Sequence, residues 1–551
     1  MKSRSLWASI LYFFPFQLLI LHFKKNHLLI LFWFLLFGYV SGGLATKYGV
    51  SFLFLYPEYL GEVGFWSHLM IGFAMAGFVT AFNIYSYVIH AFRFRFLATL
   101  SRPFYKFSIN NFLIPGVFIG YYIFKAIAFQ RTIELESTTD IILHITGFVI
   151  GFFSFMMISL LYFYGTNKDV LGFLKNDKNQ DKGRFGELYD KFIRERIRQS
   201  TKRLSQRPWR VETYLKNPFT IVLARDSEHY NEETLRRVFR QNHFNASMFE
   251  LFLVLTFLVV MNFGDLPVFT IPGGASVILV FTLMLMILSV LLSWFRGWAV
   301  TVLVLVVLVA NYFSNDLTFL PQQNPLYGLD YSLEINYDSD VLQSELANET
   351  INEKEKKDME AVLDKWLANQ RSLGIDRPKL FIINSSGGGL RSSLWNTTIL
   401  CHIDSVMGGD LMKKATLMSG ASGGMLGLAF LRETYIQNEF KEIYTRRESM
   451  ERDIAKDILN PVLLSIASTD LFFQLGSFTY NGMDYPKDRA YRFEEQYLSN
   501  TGNHLDKSLS DYRALEASAQ IPMLIIYPTI INDGRKLLVS PLDMGFMNPL
   551  P

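Results

Sequence analysis

The first 313 residues alternate long apolar runs with short polar loops, and the pattern then changes character. Seven runs, near residues 28–46, 65–90, 111–130, 141–164, 248–264, 276–295 and 297–313, approach or reach the roughly 20 residues that cross a hydrocarbon core. Residues 6–23 form one more apolar stretch, interrupted by Pro15; the expectation is an eighth span, with an interfacial helix as the alternative. A polar insertion occupies 165–247, and 314–352 reads as an extended linker containing Pro321, Pro325 and Gly328. From Glu353 to Arg371, Met359, Val362, Leu363, Trp366 and Leu367 fall at i, i+3, i+4, i+7 and i+8, which predicts a core-facing helix. Two short units follow: strand 379–384, a glycine loop and a helix from Leu390; then strand 415–419, a tight turn and a helix to about Arg432. Strand, loop, helix, strand, turn, helix predicts βαβ units on a mostly parallel sheet with helices on both faces. The expected organisation is therefore transmembrane helices over 1–164, a soluble insertion over 165–247, further transmembrane helices over 248–313, a linker over 314–352 and an α/β domain over 353–551.

Composition agrees with a membrane protein. Half of the residues are hydrophobic, with 50 Phe and 27 Tyr. The net charge of +3 supplies no global field for nucleic acid. A lone cysteine, Cys401, excludes an intrachain disulfide framework, and its place in an apolar helix predicts an inert buried thiol. Leu6 to Phe23 lacks a small-residue cleavage site, so no cleavable signal peptide is expected. Spacing for a metal or cofactor site is not evident.

Loop charge assigns an orientation. Basic residues follow the 65–90 run (Arg93, Arg95, Arg102, Lys106), acidic ones follow 111–130 (Glu134, Glu136, Asp140), and the 165–247 insertion is rich in Lys and Arg. The positive-inside rule places that insertion in the cytoplasm. Three further crossings place 314–551 on the opposite face. Attraction of the insertion to anionic lipid headgroups is the sharper use of its charge, and retention of topology the plainer one.

Candidate chemistry sits in the two turns. Ser386-Gly387-Gly388-Gly389-Leu390-Arg391 is a glycine loop whose bare N–H groups can face an anion at a helix N-terminus. Gly420-Ala421-Ser422-Gly423-Gly424 fits G-x-S-x-G, in which a serine occupies a sharp strand-to-helix elbow. A nucleophile and a set of oxyanion donors are what acyl transfer requires. Either stretch alone is as well read as a tight turn and an N-cap; the ordered pair, each on a strand–helix junction, favours catalysis.

The pair resembles the patatin-like phospholipase family, and S-G-G-G-L-R is closest to its cytosolic phospholipase A branch. The resemblance covers about residues 375–545. It implies Gly387, Gly388 and Gly389 as the oxyanion loop, Ser422 as the nucleophile, Arg391 as a contact for a phosphate or for the loop, and an aspartate as base in a dyad that uses no histidine. That aspartate normally stands in an Asp-Gly-Gly or Asp-Gly-Ala motif downstream of the serine, and no such motif occurs here. Asp533 is followed by glycine, but Asn532-Asp533-Gly534-Arg535 joins two β-rich runs and reads as a hairpin turn. Asp543 is a weaker candidate. A Ser–acid–His triad would need His504 with Asp457, Asp470, Asp484 or Asp488; His504 lies in a polar loop, and the triad is rejected. His402 is the other histidine in this half.

These readings converge on a membrane-bound serine acyl-hydrolase acting on phospholipid or lysophospholipid esters, in a bacterial-type cytoplasmic membrane, with its catalytic domain C-terminally incomplete. Membrane phospholipids are the expected partners; nucleic acid, metal and cofactor are not expected. A lipid acyltransferase and a catalytically incomplete membrane module are the alternatives.

Overall fold

In the computed structural model the chain divides into two units, one of Met1–Gln323, Leu459–Phe478 and Pro486–Arg489, the other of Asn324–Ile458, Thr479–Tyr485 and Ala490–Pro551. Described within them are residues 10–166, 211–225, 232–261, 266–295, 298–312, 327, 340, 344, 349–471, 476–530 and 534–547.

The first unit is helical. Helices α1 (Phe14–Lys25) and α2 (His27–Ser41) meet at Asn26 with a bend of 99°. Pro15 stands in the first turn of α1, where its missing N–H is not needed, so it starts a helix where the sequence suggested an interruption. The α2 helix is 15 residues long and stops where Gly42 turns left-handed at φ 76°; the run expected to span 28–46 is thus shorter and belongs to a bent pair. Next come α3 (Phe65–His90), α4 (Leu113–Thr132) and α5 (Thr138–Thr166). A two-stranded antiparallel ribbon, β1 (Thr213–Asn217) and β2 (Thr220–Leu223), lies inside the basic insertion. Then follow α6 (Glu232–Met261), α7 (Gly273–Phe295) and α8 (Ala299–Tyr312).

Among the described residues four helical stretches are long and apolar enough to cross a membrane, Phe65–Arg93, Leu113–Thr132, Thr138–Thr166 and Gly273–Leu291, and the bent pair of α1 and α2 is a fifth if it acts as one span. One other expectation needs correction. The run at 248–264 is the second half of α6, which begins well inside the region assigned to the soluble insertion and carries Arg237 and Arg240 on its first half. Within the run at 297–313 the described helix, α8, has 14 residues, about 21 Å at 1.5 Å per residue, and residues 296, 297 and 313 beside it lie outside the described residues. Residues 167–210, most of the basic insertion, lie outside the described residues, as does most of the linker.

Helix α3 is the centre of the bundle. It packs against α5 so closely that a Cβ on Gly72 would meet the Phe148 carbonyl oxygen at 2.0 Å, and one on Gly151 that of Leu69 at 2.0 Å. Small residues at such a crossing let two backbones touch. At the α1–α2 bend, buried polar side chains satisfy one another across four segments. His90 Nε2 meets Asn26 Oδ1 at 2.8 Å, Asn26 Nδ2 meets His22 Nδ1 at 2.9 Å, and His22 Nε2 meets Asn111 Oδ1 at 2.7 Å. Asn111 Nδ2 then donates to Asn83 Oδ1 at 2.9 Å. The network fixes the bend and leaves His90 Nδ1 as its one buried atom without a hydrogen-bond partner among the described residues. The segment Leu459–Phe478, expected within the α/β domain, groups with this unit: Asn460 Oδ1 accepts from the Gly273 N–H at 2.6 Å, and its Nδ2 donates to the Glu58 carbonyl at 2.8 Å.

The second unit carries a small parallel sheet. Helix α9 (Glu349–Ser372) turns the predicted stripe inward: Val362 is buried among Met523, Ile525 and Met544, Met359 and Leu363 pack against that cluster, and Trp366 is buried as well. Strands β3 (Phe381–Ser385), β4 (Ala415–Gly420) and β5 (Met523–Ile526) lie in the order β3-β4-β5, all parallel. Helices α10 (Leu390–Val406) and α11 (Ser422–Gln437) follow β3 and β4. The register pairs Ser385 with Gly420 and Gly420 with Ile526, so both glycine-rich turns leave the sheet at the same end. Parallel strands open their ligand crevice at that carboxyl end. Beyond β5 the chain doubles back: Ile526 bridges Val539 and Thr529 bridges Lys536, both antiparallel, around a return containing Gly534 at φ 76°.

Candidate active site

Ser422 is the first residue of α11 and has φ 51°, the left-handed region that a non-glycine residue occupies at a cost of about 1–2 kcal/mol. Ala421 before it is extended (φ −125°, ψ 144°), so the chain changes direction within one residue. The turn is held from β3: the Ala421 N–H donates to the Ser385 carbonyl at 3.1 Å. Ser422 is solvent-exposed, and its hydroxyl makes no hydrogen bond to any described residue. A strained, exposed serine on a strand–helix junction has the geometry of a nucleophile elbow.

The glycine loop lies against this elbow. A Cβ built on Gly387 would sit 3.2 Å from Ser422 Cβ, and one on Gly423 only 1.9 Å from the Gly389 carbonyl oxygen. Any side chain at 423 would therefore drive the two turns apart. Gly389 itself has φ 65° and ψ −158°, a conformation that requires glycine. Side chains of the flanking segments brace the loop. Ser392 Oγ donates to the Ser386 carbonyl at 2.6 Å, and Asn396 Nδ2 donates to both Ser385 Oγ and Ser392 Oγ, the latter at 3.0 Å. Ser419 Oγ donates to Asn384 Oδ1 at 3.3 Å across the two strands that feed the turns.

With the loop so fixed, the N–H groups of Gly387, Gly388, Gly389 and Gly423 donate to no described acceptor. The arrangement concentrates unpaired backbone donors beside an exposed hydroxyl, as stabilising a developing oxyanion requires. Arg391, in the first turn of α10, is exposed and forms no ion pair among the described residues.

The other sequence candidates stand elsewhere. Asp543 is paired with Arg513, whose guanidinium holds its carboxyl below the usual range, and both side chains are exposed. Asp533 lies outside the described residues. His504 and His402 are exposed, and neither bonds Ser422. Asp470 faces Arg489 at 3.6 Å, and Asp484 accepts from Thr479 Oγ1 at 2.6 Å. Among the described residues no carboxylate or imidazole hydrogen-bonds Ser422. The Cys401 thiol is buried, and burial with Asp404 and Glu451 nearby pushes it up to about 12, as an inert core cysteine requires. No group of three or more described His, Cys, Asp or Glu residues could hold a metal ion.

Sequence reasoning did not find the buried ionic cluster that anchors α11. Arg432 is paired with Glu516, donates to the Pro522 carbonyl at 3.2 Å, and lies 4.6 Å over the Tyr512 ring. Its neighbour Glu433 takes Lys507 Nζ at 2.6 Å and Tyr512 OH at 2.8 Å. Burial pushes Glu516 up to about 7, outweighing the opposing pull of Arg432, and its Oε2 has no hydrogen-bond partner. The cluster joins the helix behind Ser422 to the start of β5, so it positions the elbow. Its only signal in the sequence is a charged Arg432-Glu433 pair inside an apolar helix.

No family model, curated protein or solved structure matches this chain.

Proposed function

We propose that the chain is a membrane-bound serine acyl-hydrolase of lipid esters, related in its site to the patatin-like phospholipases, with Ser422 as nucleophile and Gly387–Gly389 as oxyanion loop. The observation that carries the reading is the contact between the two turns, with Gly387 against a left-handed, exposed Ser422 and unpaired N–H groups around it. Ser422 Oγ attacks the ester carbonyl, the carbonyl oxygen becomes an oxyanion among those N–H groups, and the alcohol of the lipid departs with a proton. Water then adds to the acyl-serine, releasing a fatty acid and restoring the hydroxyl. The elbow sits at the N-terminus of α11, whose dipole favours the developing negative charge. The proton acceptor that completes such a site is not among the described residues around Ser422.

A lipid substrate is favoured because the described residues of the same chain include four helices long and apolar enough to cross a membrane. Exposed Arg391, two residues beyond the glycine loop, is suited to a phosphate. Loop charge favours a cytoplasmic-membrane protein with 314–551 on the non-cytoplasmic face.

The test is fatty-acid release from phosphatidylglycerol and lysophosphatidylglycerol by the full chain reconstituted in nanodiscs, beside Ser422→Ala. Release that disappears in the variant supports the reading. Acyl chains recovered on a second lipid instead of as free acid would identify a transferase, and release undiminished by Ser422→Ala would refute Ser422 as nucleophile.

A further inference from the structure

The helical unit contains a cavity of about 320 Å³ between α3, the Ser101–Ser108 segment and the C-terminal half of α5. Its lining mixes two chemistries: the cations of exposed Arg102 and of Lys106 with the hydroxyls of Ser101, Thr80 and Ser159, and the apolar side chains of Phe104, Met156, Leu160 and Phe163. Among the described residues no acidic side chain lines it.

The cations are held but not neutralised. The Arg102 guanidinium stacks 3.4 Å from the Tyr164 ring centroid and meets no carboxylate among the described residues. Lys106 is 92% buried, and its ammonium donates only to the Lys216 carbonyl. Ser159 is 96% buried on α5, lines the cavity, and has no hydrogen-bond partner among the described residues. Thr80 Oγ1 finds only the Met156 sulfur, at 3.9 Å. A buried cation without a counter-charge among the described residues is expensive, and a hydroxyl that lines the cavity without a partner is free to donate. An anion with several acceptor oxygens would satisfy both.

We infer that this cavity is a binding site for the headgroup of an anionic phospholipid, its phosphate between Arg102 and Lys106 and the start of its acyl chains against Phe104, Met156, Leu160 and Phe163. Tetrahedral phosphate offers enough acceptors for two cations and several hydroxyls, whereas the apolar wall has no use for a free inorganic ion. Basic pockets between membrane helices hold acidic headgroups by this combination of charge and apolar contact. The site is distinct from the Ser422 turn and does not depend on the hydrolase reading.

The experiment titrates the full-length Ser422→Ala chain, which cannot consume the probe by the proposed route, in zwitterionic detergent. The probes are dihexanoyl phosphatidylglycerol, dihexanoyl phosphatidylcholine and sodium phosphate, with binding followed by microscale thermophoresis. Saturable binding of phosphatidylglycerol, at least tenfold weaker in Arg102→Gln and weakened likewise in Ser159→Val, is the expected result. Ser159→Val removes the cavity hydroxyl without touching a cation, so it remains informative if Arg102→Gln folds poorly. The inference is overturned if phosphatidylglycerol does not saturate, if neither substitution weakens it, or if phosphatidylcholine or inorganic phosphate binds equally well. Since no outcome involves ester cleavage, failure here leaves the Ser422 proposal standing, and the reverse.

Discussion

Alanine at 423 is the sharpest perturbation of the two-turn arrangement. Its Cβ would lie 1.9 Å from the Gly389 carbonyl oxygen and 2.4 Å from the carbonyl carbon, both backbone atoms that no rotamer change can move. Restoring ordinary contact requires the glycine loop and the elbow to separate by about 1.5 Å. Overpacking a fixed site costs roughly 1–3 kcal/mol, and backbone on both sides places this one at the upper end. For a unit of this size, about 3 kcal/mol lowers the thermal midpoint by roughly 6–12 °C. A separation of about 1 Å at reacting groups also slows chemistry by about 10²-fold, here read as the rate of fluorophosphonate labelling. The same clash weakens along α11: a Cβ on Gly424 would sit 2.5 Å from the Ser386 carbonyl oxygen, and one on Gly427 2.7 Å from that of Ser393. Losses should therefore rank Gly423→Ala, then Gly424→Ala, then Gly427→Ala. Gly120→Ala on α4, with no atom within 4 Å, is the control and should be neutral or stabilising by up to about 1 kcal/mol. Thermal unfolding and labelling rates for the four variants decide the matter. A Gly423→Ala chain with wild-type midpoint and labelling rate would refute the close approach on which the site rests.

Glu516, raised by burial to about 7 from a normal carboxylate value, binds its proton more tightly folded than unfolded. Its contribution to stability is thus complete below about pH 4.5 and is lost as pH rises through 7, with a slope of at most about 1.4 kcal/mol per pH unit. The midpoint of the wild-type chain relative to Glu516→Gln should fall between pH 5 and pH 8, and a difference independent of pH would contradict the assignment. Asp543→Asn removes an exposed ion pair worth about 0–1 kcal/mol, and Asp533 reads from the sequence as a turn former, so neither Asp543→Asn nor Asp533→Asn should alter fatty-acid release; abolition by Asp533→Asn would make it the base of the dyad. For orientation, single cysteines near residues 179 and 348 in a Cys401→Ala background should be respectively shielded from and reached by an impermeant thiol reagent in intact cells. The reverse pattern would place the α/β domain in the cytoplasm.

The two strand–turn–helix units were legible because each depends on local chemistry: a short apolar run, glycines that tolerate positive φ, then a helical stripe. Their mutual approach follows from the parallel register of β3 and β4, which the order of the motifs already implies. Other features depend on contacts between distant residues and leave no local trace. The bend at Asn26 is fixed by His90, 64 positions away, and no hydropathy window contains both. The early start of α6 was hidden because Arg237 and Arg240 read as loop charge, although basic side chains are at home on a helix that continues into an apolar segment. Leu459–Phe478 groups with the helical unit through Asn460, a single side chain that binds two main-chain groups far away in sequence. The loop charges Arg102 and Lys106 were visible, but that no described carboxylate neutralises them emerges only once α5 is packed beside them.

The central claim is that Ser422 is a nucleophile facing an oxyanion loop. Labelling of the purified full-length chain with a fluorophosphonate, followed by peptide mass spectrometry, addresses it with no assumption about substrate. The account predicts a single phosphonylated serine in the peptide containing Gly420–Gly424, at Ser422, with labelling lost in Ser422→Ala. Labelling that persists in that variant, or that maps to any other serine, would contradict it.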